Sequence, residues 1–179
     1  MKKELLIVDA YNLIGSWPEL KQLKLQDRLE DARDRLIQMM VEYRKYRAIE
    51  IVVVFDAMYV PGVTQNKQYR GLEVVWTAKN ETADSYIEAL AKEKQSRLLQ
   101  VTVATNDQAE QWMIFSEGAL RIPGDELLGD IHLANKEVTK QTSEYADQLS
   151  VRKSPWDNDQ LTALEQLREK LTDKGKKNK

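Results

Sequence analysis

Four acidic residues stand at the ends of apolar segments or just beyond them. Asp9 closes Leu5-Leu6-Ile7-Val8, and Asp56 closes Ile51-Val52-Val53-Val54-Phe55. Asp107 follows Gln100-Val101-Thr102-Val103-Ala104-Thr105, and Asp84 comes just after Asn80-Glu81-Thr82. Carboxylates gathered at one place repel one another unless a cation stands between them. Ligands that are all oxygen favour Mg²⁺ or Mn²⁺ over zinc or copper. Such an ion, held by a few carboxylates and several waters, suits phosphate chemistry, because it activates water and offsets the charge that grows on phosphorus. Each acid taken singly also has a structural explanation. Asp and Asn often follow strands because they cap the next helix, and Asp84 or Asp107 would sit well against a helix dipole. Asn12, three residues after Asp9, can hydrogen-bond a phosphate, a water or Asp9 itself, or can simply turn the chain.

Much other chemistry is excluded by composition. The chain has no cysteine and one histidine, His132. Disulfides, thiolate zinc sites, cysteine nucleophiles and His-paired dyads within the chain are therefore ruled out. The work falls to carboxylates, amides, hydroxyls, lysine and arginine. With 179 residues, 42% hydrophobic and 31% charged, the chain reads as a globular domain large enough for a real core. No apolar run approaches the ~20 residues of a membrane span. The N-terminus does not resemble a signal peptide, so a cytoplasmic protein without a membrane partner is the expectation.

The elements that must position these acids alternate between strand and helix. Strands are expected over Glu4–Asp9, Ile49–Phe55, Leu72–Thr77, Gln100–Thr105 and Ala119–Ile122 from their short apolar or β-branched runs. Helical spacing is expected over residues 27–47, with Leu29, Ala32, Leu36, Met39, Met40 and Tyr43 inward, and over 82–95. Thr105 or Asn106 is positioned to cap a helix through Trp112 and Met113 that stops at Gly118. Asp125 is a candidate cap for a helix whose apolar side includes Leu128, Ile131, Val138, Tyr145 and Leu149. Ser154-Pro155 is a candidate start for another. Residues 57–71 read as a long irregular loop without acids, and Trp17 as a packing residue after a loop at Asn12. Alternation of this kind predicts an α/β fold, a mostly parallel sheet flanked by helices, with function at the carboxyl ends of the strands. In such a sheet the four acids share one edge.

Several segments together resemble a known family. Leu6-Ile7-Val8-Asp9-Ala10-Tyr11-Asn12-Leu13-Ile14 resembles the opening motif of NYN-domain ribonucleases, a PIN-like group. Val53-Val54-Phe55-Asp56-Ala57, Asn80-Glu81-Thr82-Ala83-Asp84, Val103-Ala104-Thr105-Asn106-Asp107 and Glu110-Gln111-Trp112 follow in the order of its YacP-like subgroup, and Gly118-Ala119-Leu120-Arg121 and Glu126-Leu127-Leu128 continue it. The resemblance spans residues 4 to about 130. It implies a PIN-like three-layer fold over residues 1–135, leaving a helical extension over 136–173 and a basic tail over 174–179. It also implies a metal-dependent endoribonuclease that cleaves mRNA, associated with the ribosome and acting at its A site. By motif, Asp9, Asp84 and Asp107 would hold Mg²⁺ or Mn²⁺, and Asn12 would position substrate or water. Asp56 and Glu81 would be outer members of the acidic cluster, and Thr105 and Asn106 would support Asp107. Position 106 departs from the family, which more often has Ser there.

Charge bears on the partner. The formal net charge is −2, yet four lysines fall in the last six residues, so the rest of the chain is more acidic than that figure. An acidic body is poorly suited to seizing free RNA by charge alone, but it can dock where a ribosome already presents a message. Lys67 and Arg70, in the acid-free stretch, are the candidate RNA contacts. A monomer is the default expectation. Two alternatives belong to other classes. One is a Mg²⁺-dependent receiver domain with Asp56 as phosphoacceptor, although the chain lacks the paired acids after strand one that receivers carry. The other is a ribosome- or RNA-binding module that keeps the fold without the activity.

Overall fold

In the computed structural model, residues 2–56, 65–107 and 118–152 are described, together with 160, 162 and 168; at 141 and 144–152 only the helical backbone is described. In chain order the elements are β1 (Lys3–Asp9), α1 (Ala10–Ser16), α2 (Pro18–Leu25), α3 (Leu29–Arg47), β2 (Glu50–Phe55), β3 (Gln65–Tyr69), β4 (Leu72–Trp76), α4 (Ala83–Lys94), β5 (Leu99–Ala104), β6 (Leu120–Ile122) and α5 (Gly124–Arg152). The chain divides into two compact units, Met1–Lys136 and Glu137–Lys179. Apart from Val138, all that follows concerns the first.

Six strands form one sheet in the order β3-β4-β2-β1-β5-β6. Every neighbouring pair is parallel except β3 with β4. The near-continuous apolar runs of β1 and β2 follow from their central places, because a parallel strand covered on both faces has no polar side. On one face Leu6, Val8, Val53 and Phe55 pack with Leu13, Leu36, Met40, Leu127 and Ile131 from the helices. On the other, Ile7, Val52, Val54 and Val103 meet Ala83, Ile87 and Ala91 of α4. Helices on both faces make the three-layer α/β arrangement expected from the alternation. Burying a side chain such as Phe55 or Ile87 contributes about 1.5–3 kcal/mol.

The strand order decides one alternative. Counting the parallel strands alone, β4, β2, β1, β5 and β6 run 3-2-1-4-5, whereas a receiver-type sheet runs 2-1-3-4-5. The receiver alternative is thereby set aside.

Four local expectations are corrected. Residues 65–69 are not loop but an edge strand, paired with β4 from Gln65↔Trp76 to Tyr69↔Leu72. All five are exposed, so the strand carries no apolar alternation that would reveal it. Arg70 and Gly71, with φ of 50° and 82°, make a two-residue hairpin turn whose left-handed backbone matches the twist of the strands. The segment holding Asn12 is helix α1, not a loop. Asp125 does not cap α5, which already begins at Gly124; it sits in the first turn. Val138, expected on the apolar side of α5, is 47% exposed. The expected helix through Trp112 and Met113 and the start at Ser154-Pro155 lie outside the described residues. Trp17 does pack: it is buried, and its Nε1 donates to the Gly124 carbonyl at 2.9 Å. Among the described residues no helix is long and apolar enough to cross a membrane.

Candidate active site

The sheet changes direction between β1 and β5. From β1 the chain builds outward through β2 and β4 on one side, then returns to place β5 and β6 on the other. Loops leave such a point in opposite directions and open a crevice at the carboxyl ends of the strands. Asp9 ends β1, and Thr105, Asn106 and Asp107 follow β5, so these residues border the crevice because of topology.

Asp9 has two duties there. It is the N-cap of α1, its Oδ1 accepting the backbone N–H of Asn12 at 3.3 Å. It is also buried, with 7% of its surface exposed. Burial pushes its carboxyl up from 3.8 to about 7; the Asn12 N–H opposes this, and the charges of Asp84, Asp107 and Asp56 add to the rise. Burial is the main cause of this reluctance to ionise, and the three neighbouring carboxylates act in the same direction.

Asn12 and Asn106 hold the two sides of the crevice together. The backbone N–H of Asn106 donates to Asn12 Oδ1 at 2.9 Å. Since a backbone N–H can only donate, this bond fixes the carboxamide of Asn12 with its oxygen toward β5. In turn, Asn106 Oδ1 accepts the N–H of Gly124 at 2.7 Å, joining the start of α5 to the same cluster. Thr105 is fully buried, and its Oγ1 accepts the N–H of Asp107 at 3.1 Å. The side chain of Asp107 itself is exposed.

Asp56 and Asp84 approach from the other side of β1. Asp56 Oδ2 accepts the N–H of Ala83 at 3.1 Å, which ties the end of β2 to the first turn of α4. Thr82 caps α4 by accepting the Ser85 N–H, leaving Asp84 exposed in the first turn. Glu81 lies in the turn before that cap, and its charge acts on Tyr86. The charges that act on Asp9 are thus those of Asp84, Asp107 and Asp56. Lys67 and Arg70 stand apart from this rim, on the β3–β4 hairpin. Lys67 Nζ lies 5.5 Å from the centre of the Trp76 ring, and the Arg70 guanidinium lies at the same distance from the Tyr69 ring.

A profile described as the YacP-like NYN domain matches residues 6–169 of this chain. The chain belongs to the YacP-like NYN family. It is 39% identical over 165 residues, 92% of its length and 96% of the relative's, to "Uncharacterized protein YacP" of Bacillus subtilis strain 168. It is similar to the crystal structure of Rae1 (YacP) from Bacillus subtilis, with a TM-score of 0.71, 37% identity and coverage of 97% of this chain and 95% of that one. A crystal structure of a point variant of Rae1 (YacP) aligns with a TM-score of 0.70 and 41% identity, covering 79% of this chain and 82% of that one. NYN domains are a nuclease family and generally depend on a divalent metal. Membership in the YacP-like NYN family therefore gives this protein a nuclease-type, RNA-related function and the PIN-like fold.

The donor set fits a hard cation. Every candidate ligand in this YacP-like NYN domain is a carboxylate oxygen, and beside the larger effect of burial the charges of Asp84, Asp107 and Asp56 all act on the Asp9 carboxyl. Among the described residues no three His, Cys, Asp or Glu side chains are grouped so that together they could hold a metal ion, Asp9, Asp84 and Asp107 included. Magnesium does not require such a group, since it keeps several waters and is commonly held by one or two carboxylates. Sequence reasoning missed the connecting role of Gly124. A Cβ there would lie 2.6 Å from Leu13 Cδ2 and 2.9 Å from Asn106 Nδ2, so the position needs glycine for close approach. The only signal in the sequence was Pro123-Gly124 ahead of an acidic first turn.

Proposed function

We propose that this protein is a metal-dependent endoribonuclease that cleaves mRNA, ribosome-associated and acting at the A site during translation. The observation that carries the nuclease reading is the buried Asp9 carboxyl at the β1–β5 crevice, raised to about 7 beside the charges of Asp84, Asp107 and Asp56. Asp9, Asp84 and Asp107 would hold Mg²⁺ or Mn²⁺, directly or through water. When bound, such an ion supplies an activated water and offsets charge on the phosphate.

The chain's own residues do the rest. Burial of Asp9 beneath α1 keeps one carboxylate at a fixed depth, while exposed Asp84 and Asp107 face the approaching RNA backbone. Thr105 sets the backbone of Asp107, and Asn12 locks Asn106, so the β5 side cannot drift from the β1 side. Asn12 Nδ2, on the far side of the carboxamide from its bonded oxygen, is the candidate donor to a phosphate oxygen or to water. Attack of water on the phosphodiester leaves a 5′-phosphate and a 3′-hydroxyl, and no side chain serves as nucleophile. The ribosome assignment is supported by the acidic body of the chain, which needs a partner to present RNA, and by the subgroup resemblance.

A second reading, a non-catalytic ribosome- or RNA-binding module, is favoured by the lack, among the described residues, of three acidic side chains grouped so that they could hold a metal ion. One experiment separates the two. Translated and naked mRNA are incubated with the protein in Mg²⁺ or Mn²⁺, beside the Asp9→Asn and Asp107→Asn variants. Cleavage by the wild type, lost in both variants and with chelator, supports the nuclease. Equal cleavage by all three proteins, or none by any, overturns it. Cleavage of naked RNA as fast as translated RNA removes the ribosome from the proposal.

A further inference from the structure

Beyond the acidic rim, a groove of about 770 Å³ lies between α3 and the β3–β4 hairpin, lined by Asp34, Gln38, Lys67, Tyr69, Val74 and Trp76 among others. Trp76 ends β4, and it pairs in register with Phe55, the residue before Asp56. The Trp76 end of the groove therefore lies at the edge of the sheet that carries the acids, two strand spacings from β1, or about 9–10 Å, while Tyr69, paired with Leu72, lines its far end. The Trp76 ring stacks on the buried Phe55 ring at 5.6 Å between centroids and 14° between planes, which fixes it in place. Trp76 is only half-buried, and Tyr69 is 46% exposed. Each of these rings has a cation 5.5 Å from its centre, Lys67 for Trp76 and Arg70 for Tyr69.

We propose that this groove is a nucleobase subsite, taking the base of a nucleotide that flanks the cleaved phosphodiester in single-stranded RNA. The inference rests on the nuclease reading above and extends it to the recognition of substrate. Aromatic faces beside cations are the combination that single-stranded RNA requires, since the rings stack on a base and the cations meet the phosphates on either side of it. Asp34, Gln38 and Gln68 supply acceptors and donors along the wall for the edge of a stacked base. The Trp76 ring with Lys67 is the part of the groove nearest the carboxylates, and Tyr69 with Arg70 continues the same groove along the hairpin away from them.

The test measures binding without cleavage. A fluorescent single-stranded RNA oligonucleotide is titrated against the full chain in chelator. Matched oligonucleotides each carry one abasic nucleotide at successive positions. At one position next to the cleavage site, loss of the base is expected to weaken wild-type binding about tenfold. In Trp76→Leu, or in the Lys67→Glu/Tyr69→Ala double variant built on the exposed side of the groove, intact and abasic RNA should bind alike. Melting curves of the variants show that they are folded, and the surface double variant keeps the test valid if Trp76→Leu is not. If wild-type protein binds intact and abasic RNA equally at every position, the subsite is refuted even if the enzyme cleaves. If discrimination is present and depends on these side chains but no cleavage occurs with Mg²⁺ or Mn²⁺, the subsite stands and the nuclease reading falls.

Discussion

Asn12 Oδ1 and the backbone N–H of Asn106, 94 residues apart, meet at 2.9 Å across the crevice between β1 and β5. This bond makes the two sides of the acidic rim one rigid piece. Asn12→Ala leaves a part-buried N–H without its acceptor, at a cost of about 1–2 kcal/mol. The expected result is a lower urea midpoint together with loss of cleavage, since Asp107 follows directly on Asn106. Full activity in a folded Asn12→Ala protein would show that the rim does not depend on this link.

The Asp9 carboxyl sits near 7 in the folded chain against 3.8 when exposed. Between those values the folded state keeps a proton that the unfolded state releases. Asp9 therefore makes the metal-free protein less stable as pH rises through that window, with no further change above it. The full span amounts to about 4 kcal/mol in order of magnitude. Asp9→Asn keeps the oxygen that caps α1 and removes the charge. In chelator, its stability relative to wild type should grow from pH 4 to pH 7. Urea unfolding of both proteins across that range provides the check, and a difference that stays flat or reverses would contradict the burial argument.

Divalent metal should reverse that penalty. A cation that binds the folded rim and not the unfolded chain stabilises by mass action. Wild-type protein is expected to melt several degrees higher in millimolar Mn²⁺ than in chelator. Asp9→Asn and Asp107→Asn should show a much smaller rise. Differential scanning calorimetry measures this without any activity assay, and identical shifts in all three proteins would place the ion elsewhere.

Gly124 accepts no side chain without displacing Leu13 or Asn106. Gly124→Ala should cost about 1–3 kcal/mol as overpacking, and more in activity than in stability, because Asn106 is the neighbour that must yield. Trp17→Phe is the companion change. It removes the Nε1–H that the Gly124 carbonyl accepts and should cost about 1–2 kcal/mol with little effect on cleavage. Thermal melts and cleavage rates of the pair separate displacement of Asn106 from general loosening of the start of α5.

The central strands were legible because burial on both faces leaves β1 and β2 as apolar runs, β5 alternates Val101, Val103 with Gln100, Thr102, and each ends at or near an acid. Other parts had no such signal. Helix α1 has seven residues and includes Gly15 and Ser16, so its only mark was Asp9 as cap. Strand β3 is Gln65-Asn66-Lys67-Gln68-Tyr69, polar throughout, and exists by pairing with β4; Arg70-Gly71 was the available clue. The candidate site residues could be picked out of the sequence by type. Their links could not, because Asn12 to Asn106 and Trp17 to Gly124 join segments about a hundred residues apart.

Strand β1 is made first and stands in the middle of the sheet, yet its neighbour β5 begins only at Leu99. A nascent chain that has not reached that point carries Asp9 with one side of its crevice missing. The rim is therefore complete only once Leu99–Asp107 has emerged and paired with β1, a delay imposed by the order of the strands alone.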